Sequence, residues 1–296
     1  MRSTFASVAA TLAIVVPFTQ VRAESTLDKV KAHGSITLAY REASIPFSYL
    51  DDKAQPTGFG WDICAKIVDE VKRATGRIDL KVQTQAVTSA NRMPLLQNGT
   101  IDIECGSTTN NAERQKQVAF ATNYFYTGTR FLVKAGTPLR TVDDLTGKTV
   151  VSTTGTTNFR VVRNLIQDRK LTVDLIGAKD HAESALLVQS GRALAFAMDD
   201  ILLYGLKASA ANPADLAVVG DAIQVEPYAI MLRKDDATFK KLVDDTLAAL
   251  IKSGEFEKLY KKWFQSPIPP KGVNLDVPMS KELRDNLKAL SDKPAV

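Results

Sequence analysis

The chain alternates between two spacings of apolar residues for most of its length. Short apolar runs, or runs with every second position apolar, predict strands. Apolar residues three and four apart predict helices. In a first series, residues 35–40 are a strand and 41–47 a loop. Helical spacing over 61–75 puts Cys64, Ile67, Val68 and Val71 on one face, with Gly76 as a stop. Residues 80–85 are a strand. Asn91 is placed to cap a short helix with Pro94 in its first turn, and 101–104 form a buried strand. This is the β-α-β-α-β order of a mainly parallel sheet.

A second series repeats the alternation. Residues 129–134 are a strand, and Thr141 with Asp144 resembles a capping box. A strand at 149–151 leads through Gly155-Thr156-Thr157 into a helix with Phe159, Val162, Leu165 and Ile166 on one face. Residues 171–176 are a strand, and a helix runs from Asp180 to Gly191. The strand 195–198 enters Asp199-Asp200, followed by a helix over 201–208 and a strand over 216–219. Residues 228–232 predict one more strand ahead of the strongest helical pattern, 238–253. Past Gly254 a second amphipathic helix carries Phe256, Leu259, Tyr260, Trp263 and Phe264. An extended connector (266–270) and a last short helix from Ser280 follow. Two β-α series imply two similar lobes. No Gly/Ser- or Pro-rich linker separates them, which favours lobes joined by ordered strands.

Composition narrows the function classes. Of 296 residues, 45% are apolar and 24% charged, which is a globular balance. Basic residues are mixed with acidic ones, as in Arg233-Lys234-Asp235-Asp236, so no nucleic-acid surface is expected. Residues 1–23 have the layout of a cleaved export signal: Arg2, an apolar stretch from Phe5 to Phe18, then Val21-Arg22-Ala23. That stretch is short for a membrane span, and no cysteine follows it to take a lipid. The expected product is a periplasmic, soluble monomer starting near Glu24. Two cysteines, Cys64 and Cys105, could form a disulfide worth about 4 kcal/mol, or remain two buried thiols. His33 and His181 lack metal-ligand spacing, so neither a metal nor a cofactor is expected.

In open α/β sheets, ligands bind outside the carboxyl ends of the strands. Those ends carry Arg41; Ser89 and Arg92; Ser107, Thr109 and Arg114; then Thr157, His181 and Asp199. Three arginines, a histidine, hydroxyls and one carboxylate suit a ligand with two carboxylates and one ammonium. Each residue also has a plainer reading. Arg41 and Arg114 could be surface arginines, and Asp199 could be a helix cap. His181 could be solvated, and Thr157 could simply open a helix. Phe47 and Tyr49 fit either the core or a ligand-facing wall. Gly106 offers the chain a turn with few steric limits. Enzyme templates fit poorly. There is no Gly-x-Ser-x-Gly elbow, and the spacing of Glu104 and Glu113 defines no acid/base pair.

The segments 41–49, 91–99, 104–114, 178–181, 198–200 and 231–236, in this order, resemble the periplasmic amino-acid-binding proteins of bacterial ABC importers, solute-binding protein family 3. The likeness spans 25–270 and is nearest to members that take glutamate or aspartate. It implies a two-lobed α/β fold of type II, each lobe a mixed sheet flanked by helices, joined by two crossing strands that close like a hinged clamp. The implied lobes are 24–127 plus 227–296, and 128–226. The resemblance gives Arg114 the α-carboxylate, with Thr109 and Thr157. Asp199 and Ser107 take the ammonium, and Arg41, Ser89, Arg92 and His181 take the side-chain carboxylate. The implied partners are an acidic amino acid and an inner-membrane permease. A dehydratase or lyase acting on a small carboxylic acid is the alternative on this fold. A sensory module would need a signalling segment after residue 270. Position 230 is isoleucine where a relative has a cysteine able to pair with the match of Cys105, so that pairing is not carried over.

Overall fold

The computed structural model describes residues 24–295; the predicted export signal, 1–23, lies outside the described residues. Helix α1 (Thr26–His33) leads to strand β1 (Ser35–Tyr40) and three short strands, β2 (Ala43–Ser44), β3 (Ser48–Leu50) and β4 (Pro56–Thr57). Then come α2 (Phe59–Thr75), β5 (Lys81–Ala86), α3 (Arg92–Gln97), β6 (Ile103–Glu104), α4 (Ala112–Gln115) and β7 (Val118–Phe120). A long strand, β8 (Phe125–Lys134), opens the next series: β9 (Thr149–Thr153), α5 (Thr157–Asp168), β10 (Asp174–Ala178), α6 (His181–Gln189), β11 (Ala195–Asp199), α7 (Asp200–Ser209) and β12 (Leu216–Val219). The chain ends through β13 (Val225–Tyr228), β14 (Met231–Arg233), α8 (Ala237–Lys252), α9 (Glu255–Phe264) and α10 (Lys281–Ala289).

These strands form two mixed sheets flanked by helices, and β2, β3 and β4 make a small third one. The first sheet has the order β5-β1-β6-β14-β7. Strands β5, β1 and β6 are parallel, and β14 is antiparallel to its neighbours. In the second, β10, β9 and β11 are parallel, and β8 and β12 complete it antiparallel. The first half of β8 pairs with β13, from Phe125↔Tyr228 to Gly128↔Val225. The rest of β8 pairs with β11 and β12. Strands β8 and β13 thus cross between the two sheets.

The predicted strand 228–232 is two strands. Tyr228 ends the pairing with β8, and Met231 begins the pairing with β6 and β7. Between them the Ala229 amide donates to Thr108, and the Ile230 carbonyl accepts from Ala121. A continuous apolar run hides this change of partner. Strand β10 starts later than its pattern suggests, because Leu171 and Thr172 close the end of α5 and the turn at Gly147. Helix starts follow the sequence at Thr156, Asp180 and Ser280, whose side chains accept the Phe159, Glu183 and Leu283 amides. Asn91 sits before α3, but its oxygen accepts from the Thr88 amide and leaves the helix uncapped.

Under the crossing strands lies an aromatic core. Phe47 is fully buried, edge-on to Phe125 (4.9 Å), Tyr228 (5.1 Å) and Phe264 (5.5 Å). Such rings contribute roughly 1.5–3 kcal/mol each by burial. Tyr49 is also core, its hydroxyl donating to the Pro269 carbonyl (2.8 Å). Cys64 and Cys105 are joined in a disulfide, Cα–Cα 6.0 Å, which ties α2 to the end of β6.

Candidate functional site

The carboxyl ends of the parallel strands in both sheets meet at one small cavity of about 10 Å3. Ser89, Arg92, Ser107, Thr109, Thr157, His181 and Asp199 line it, with Thr156, Asn158, Met198 and Leu202 completing the wall. Arg41 and Arg114 stand directly behind, joined to this lining by hydrogen bonds.

From the first sheet come three buried arginines. Arg41 follows β1, its amide held by the Ser48 hydroxyl (2.8 Å). One guanidinium nitrogen, Nη2, donates to Ser89 Oγ (2.8 Å) and faces His181 Nε2 (3.3 Å). Arg92 opens α3. Arg114 lies in α4, where Asn111 caps its amide (2.9 Å). The Arg114 fork donates to the carbonyls of Thr109 (2.9 Å) and Gly155 (3.1 Å), the latter from the second sheet's side. Arg92 is 2% exposed, yet its Nε and Nη1 have no hydrogen-bond partner; Arg41 Nη1 and Ser107 Oγ also lack one. Buried donors in that condition are costly and call for an acceptor. Burial lowers all three arginines, Arg41 and Arg114 to about 9, with the neighbouring Arg92 charge as the next cause for those two.

The second sheet presents groups that are already satisfied. Thr157 donates its hydroxyl to Glu226 Oε2 (2.8 Å) and so accepts from Thr109 Oγ1 (3.3 Å). Asp199 accepts from Asn158 Nδ2 (2.7 Å) and from the Tyr228 hydroxyl. Burial, then the charge of Glu226, raises the Asp199 carboxyl to about 7. Burial and the charges of Arg41 and Arg92 push the His181 imidazole well below its usual range, so it is neutral at pH 7. Arginine only donates, so Nε2 of that neutral ring accepts and Nδ1 carries the proton. Nδ1 then donates to Thr153 Oγ1 (2.8 Å), Thr153 to Ser184 Oγ (3.0 Å), and Ser184 to the Asp180 carbonyl (2.8 Å). The chain of donors is directed from Arg41 to the start of α6.

Two glycines shape the cavity by necessity. Gly155 has φ +82°, and a Cβ there would lie 2.6 Å from Ala90 Cα. Only glycine lets the two sides meet at that point. Gly106 is needed for space, whereas the sequence suggested a conformational need. A Cβ at 106 would lie 2.3 Å from Glu104 Oε1 and 3.2 Å from Arg41 Cγ.

Sequence reasoning omitted several groups of the site. Glu226 comes from a crossing strand, so a rule about strand ends passes over it. Tyr228 shares that strand; the sequence pattern makes it the start of the predicted strand 228–232, with no part in the site. Asn158 follows Thr157 directly and was within reach of the same rule. Glu104, fully buried, faces the arginines; Glu113 is exposed and pairs with Lys116 (2.7 Å). Among the described residues no His/Cys/Asp/Glu cluster could hold a metal ion, and no helix is long and apolar enough to cross a membrane.

Residues 36–266 match the family described as bacterial extracellular solute-binding proteins, family 3. The chain is similar to the L-glutamate/L-aspartate-binding protein of Pseudomonas aeruginosa, 50% identical over 271 residues, covering 91% of this chain and 90% of the relative. It is likewise similar to the glutamate/aspartate import solute-binding protein of Escherichia coli, 47% identical over 272 residues, covering 92% and 89%. Among solved structures, a mutant of ArgBP from T. maritima superposes with a TM-score of 0.73 at 26% identity, covering 81% of this chain and 99% of that one.

Proposed function

Because the chain belongs to the bacterial extracellular solute-binding proteins, family 3, we propose that it captures glutamate or aspartate and delivers it to an ABC importer. It is a binding protein of the type II periplasmic fold, not an enzyme. The observation that carries the acidic-ligand reading is Arg92. A buried guanidinium whose Nε and Nη1 make no hydrogen bond lines the cavity, beside two more buried arginines.

In this reading two lobes, 24–127 plus 227–296 and 128–226, close about β8 and β13. Arg114, Thr109 and Thr157 receive the α-carboxylate. Ser107 and Asp199 take the ammonium, which replaces the proton that burial favours on Asp199. Arg92, Arg41 and Ser89 hold the side-chain carboxylate, and His181 meets Arg41 from the other lobe. Charge pairs at such distances are worth about 4 kcal/mol at an effective dielectric near 20. A neutral amide in their place leaves the arginines unpaired and costs roughly 2–5 kcal/mol. The protein works as a periplasmic monomer, freed of residues 1–23, with an inner-membrane permease as its partner.

Calorimetry of signal-free protein against the twenty amino acids tests this. Glutamate or aspartate is expected to bind at least a hundredfold tighter than glutamine or asparagine. Tighter binding of any neutral or basic amino acid would overturn the assignment.

A further inference from the structure

Among the described residues, Glu104 is an acidic side chain that faces the arginines, and its geometry is unusual. It is fully buried at the end of β6. One oxygen, Oε2, accepts from the Thr108 hydroxyl. The other, Oε1, accepts nothing and lies 3.8 Å from Arg92 Nη1, within ion-pair range and beyond a hydrogen bond. The chain leaves room for it: Gly106, with no Cβ, lets Oε1 lie beside the Arg41 stem. A carboxylate meant only to neutralise Arg92 would take the guanidinium in a bidentate grip, the favoured geometry for that pair. Here the carboxylate is anchored elsewhere, by Thr108, and held off.

We propose that Glu104 is a held-off counter-charge, which keeps the arginines of the ligand-free pocket tolerable to bury and limits how tightly an acidic ligand is held. Its negative charge and the ligand's side-chain carboxylate compete for the same cationic field while the Arg92 fork stays open to the ligand. For a protein that must surrender its cargo, such a counter-charge sets the release rate. This inference rests on the acidic-ligand reading above. It adds that an internal carboxylate lowers affinity for an acidic ligand.

The test is Glu104→Gln, which keeps shape and removes charge. Two measurements are made on wild type and variant: thermal unfolding without ligand, and glutamate and glutamine binding with release rates. If wild-type protein does not prefer glutamate over glutamine, the functional reading fails before the variant is considered. Given that preference, E104Q is expected to unfold at lower temperature when empty, yet to bind glutamate about tenfold tighter and release it more slowly. Glutamine affinity stays within about threefold. A merely structural role lowers stability and both affinities together, and that result would overturn the proposal. So would equal gains for both ligands. Glu104→Asp keeps the charge and provides the second arm, whatever the yield of E104Q. It is expected to hold glutamate within about threefold of wild type, and a tenfold change in either direction would overturn the proposal.

Discussion

The two walls of the cleft differ in what they leave undone. On the first-sheet wall, Arg41, Arg92 and Ser107 keep buried nitrogen or oxygen atoms without partners. On the second-sheet wall, Thr157, His181 and Asp199 each have their hydrogen bonds made. The first wall is therefore built to receive a ligand. The second is built to present finished surfaces that complete the enclosure. In the proposed function, an anion gains most from the first wall, and the second adds the partner of its ammonium and shuts out water.

Three substitutions or conditions test that contrast, in decreasing order of effect. Arg114 joins the walls, with one donor to Thr109 and one to Gly155. Arg114→Ala is expected to abolish calorimetric binding of every amino acid, a loss of a thousandfold or more, comparable to leaving a buried charge unpaired. Retained micromolar affinity would break the picture of a common carboxylate receiver. Arg92 belongs to the first wall alone. Arg92→Ala should weaken glutamate by about 2–5 kcal/mol and glutamine far less. Equal losses would place its open nitrogens outside the recognition of the side chain.

The smallest effect concerns the second wall and is read by pH. Burial raises Asp199 to about 7, so near neutrality much of it is protonated. A bound ammonium favours the anion, and binding then expels a proton. Affinity should fall as pH drops below 7, by at most about tenfold per unit. Calorimetry at pH 6.5 in buffers of different ionisation enthalpy should register proton release. Proton uptake would mean that the ammonium sits elsewhere.

Much of this was legible in the chain. The alternation of strand and helix spacings gave both sheets, because parallel strands and their helices are local patterns. The nine polar residues at strand ends converge because that rule follows from the direction of parallel strands. What stayed hidden has a common cause. Where β13 gives way to β14, the exchange of partners occurs inside an apolar run with no change of spacing. Glu226 and Tyr228 enter the site from a crossing strand, whose membership in both halves is a property of tertiary pairing alone. The contact of His181 with Arg41 needed the relative position of two walls, which no spacing along the chain encodes. The disulfide was open for the same reason: Cys64 and Cys105 are 41 residues apart, and only the packing of α2 on β6 brings them together.

That disulfide has a consequence for where the grip matures. Cys105 is the root of the loop that carries Ser107, Thr109 and Arg114, and Cys64 lies in a helix of the same proposed lobe. The bond does not cross β8 or β13, so it would tie the arginine-bearing side together without restraining the proposed closure. Thiols oxidise outside the cytoplasm. If the chain is exported and closes as proposed, a chain held in reducing surroundings would lack this tie between α2 and the loop after β6, so delivery to the oxidising side and completion of that loop would become one event.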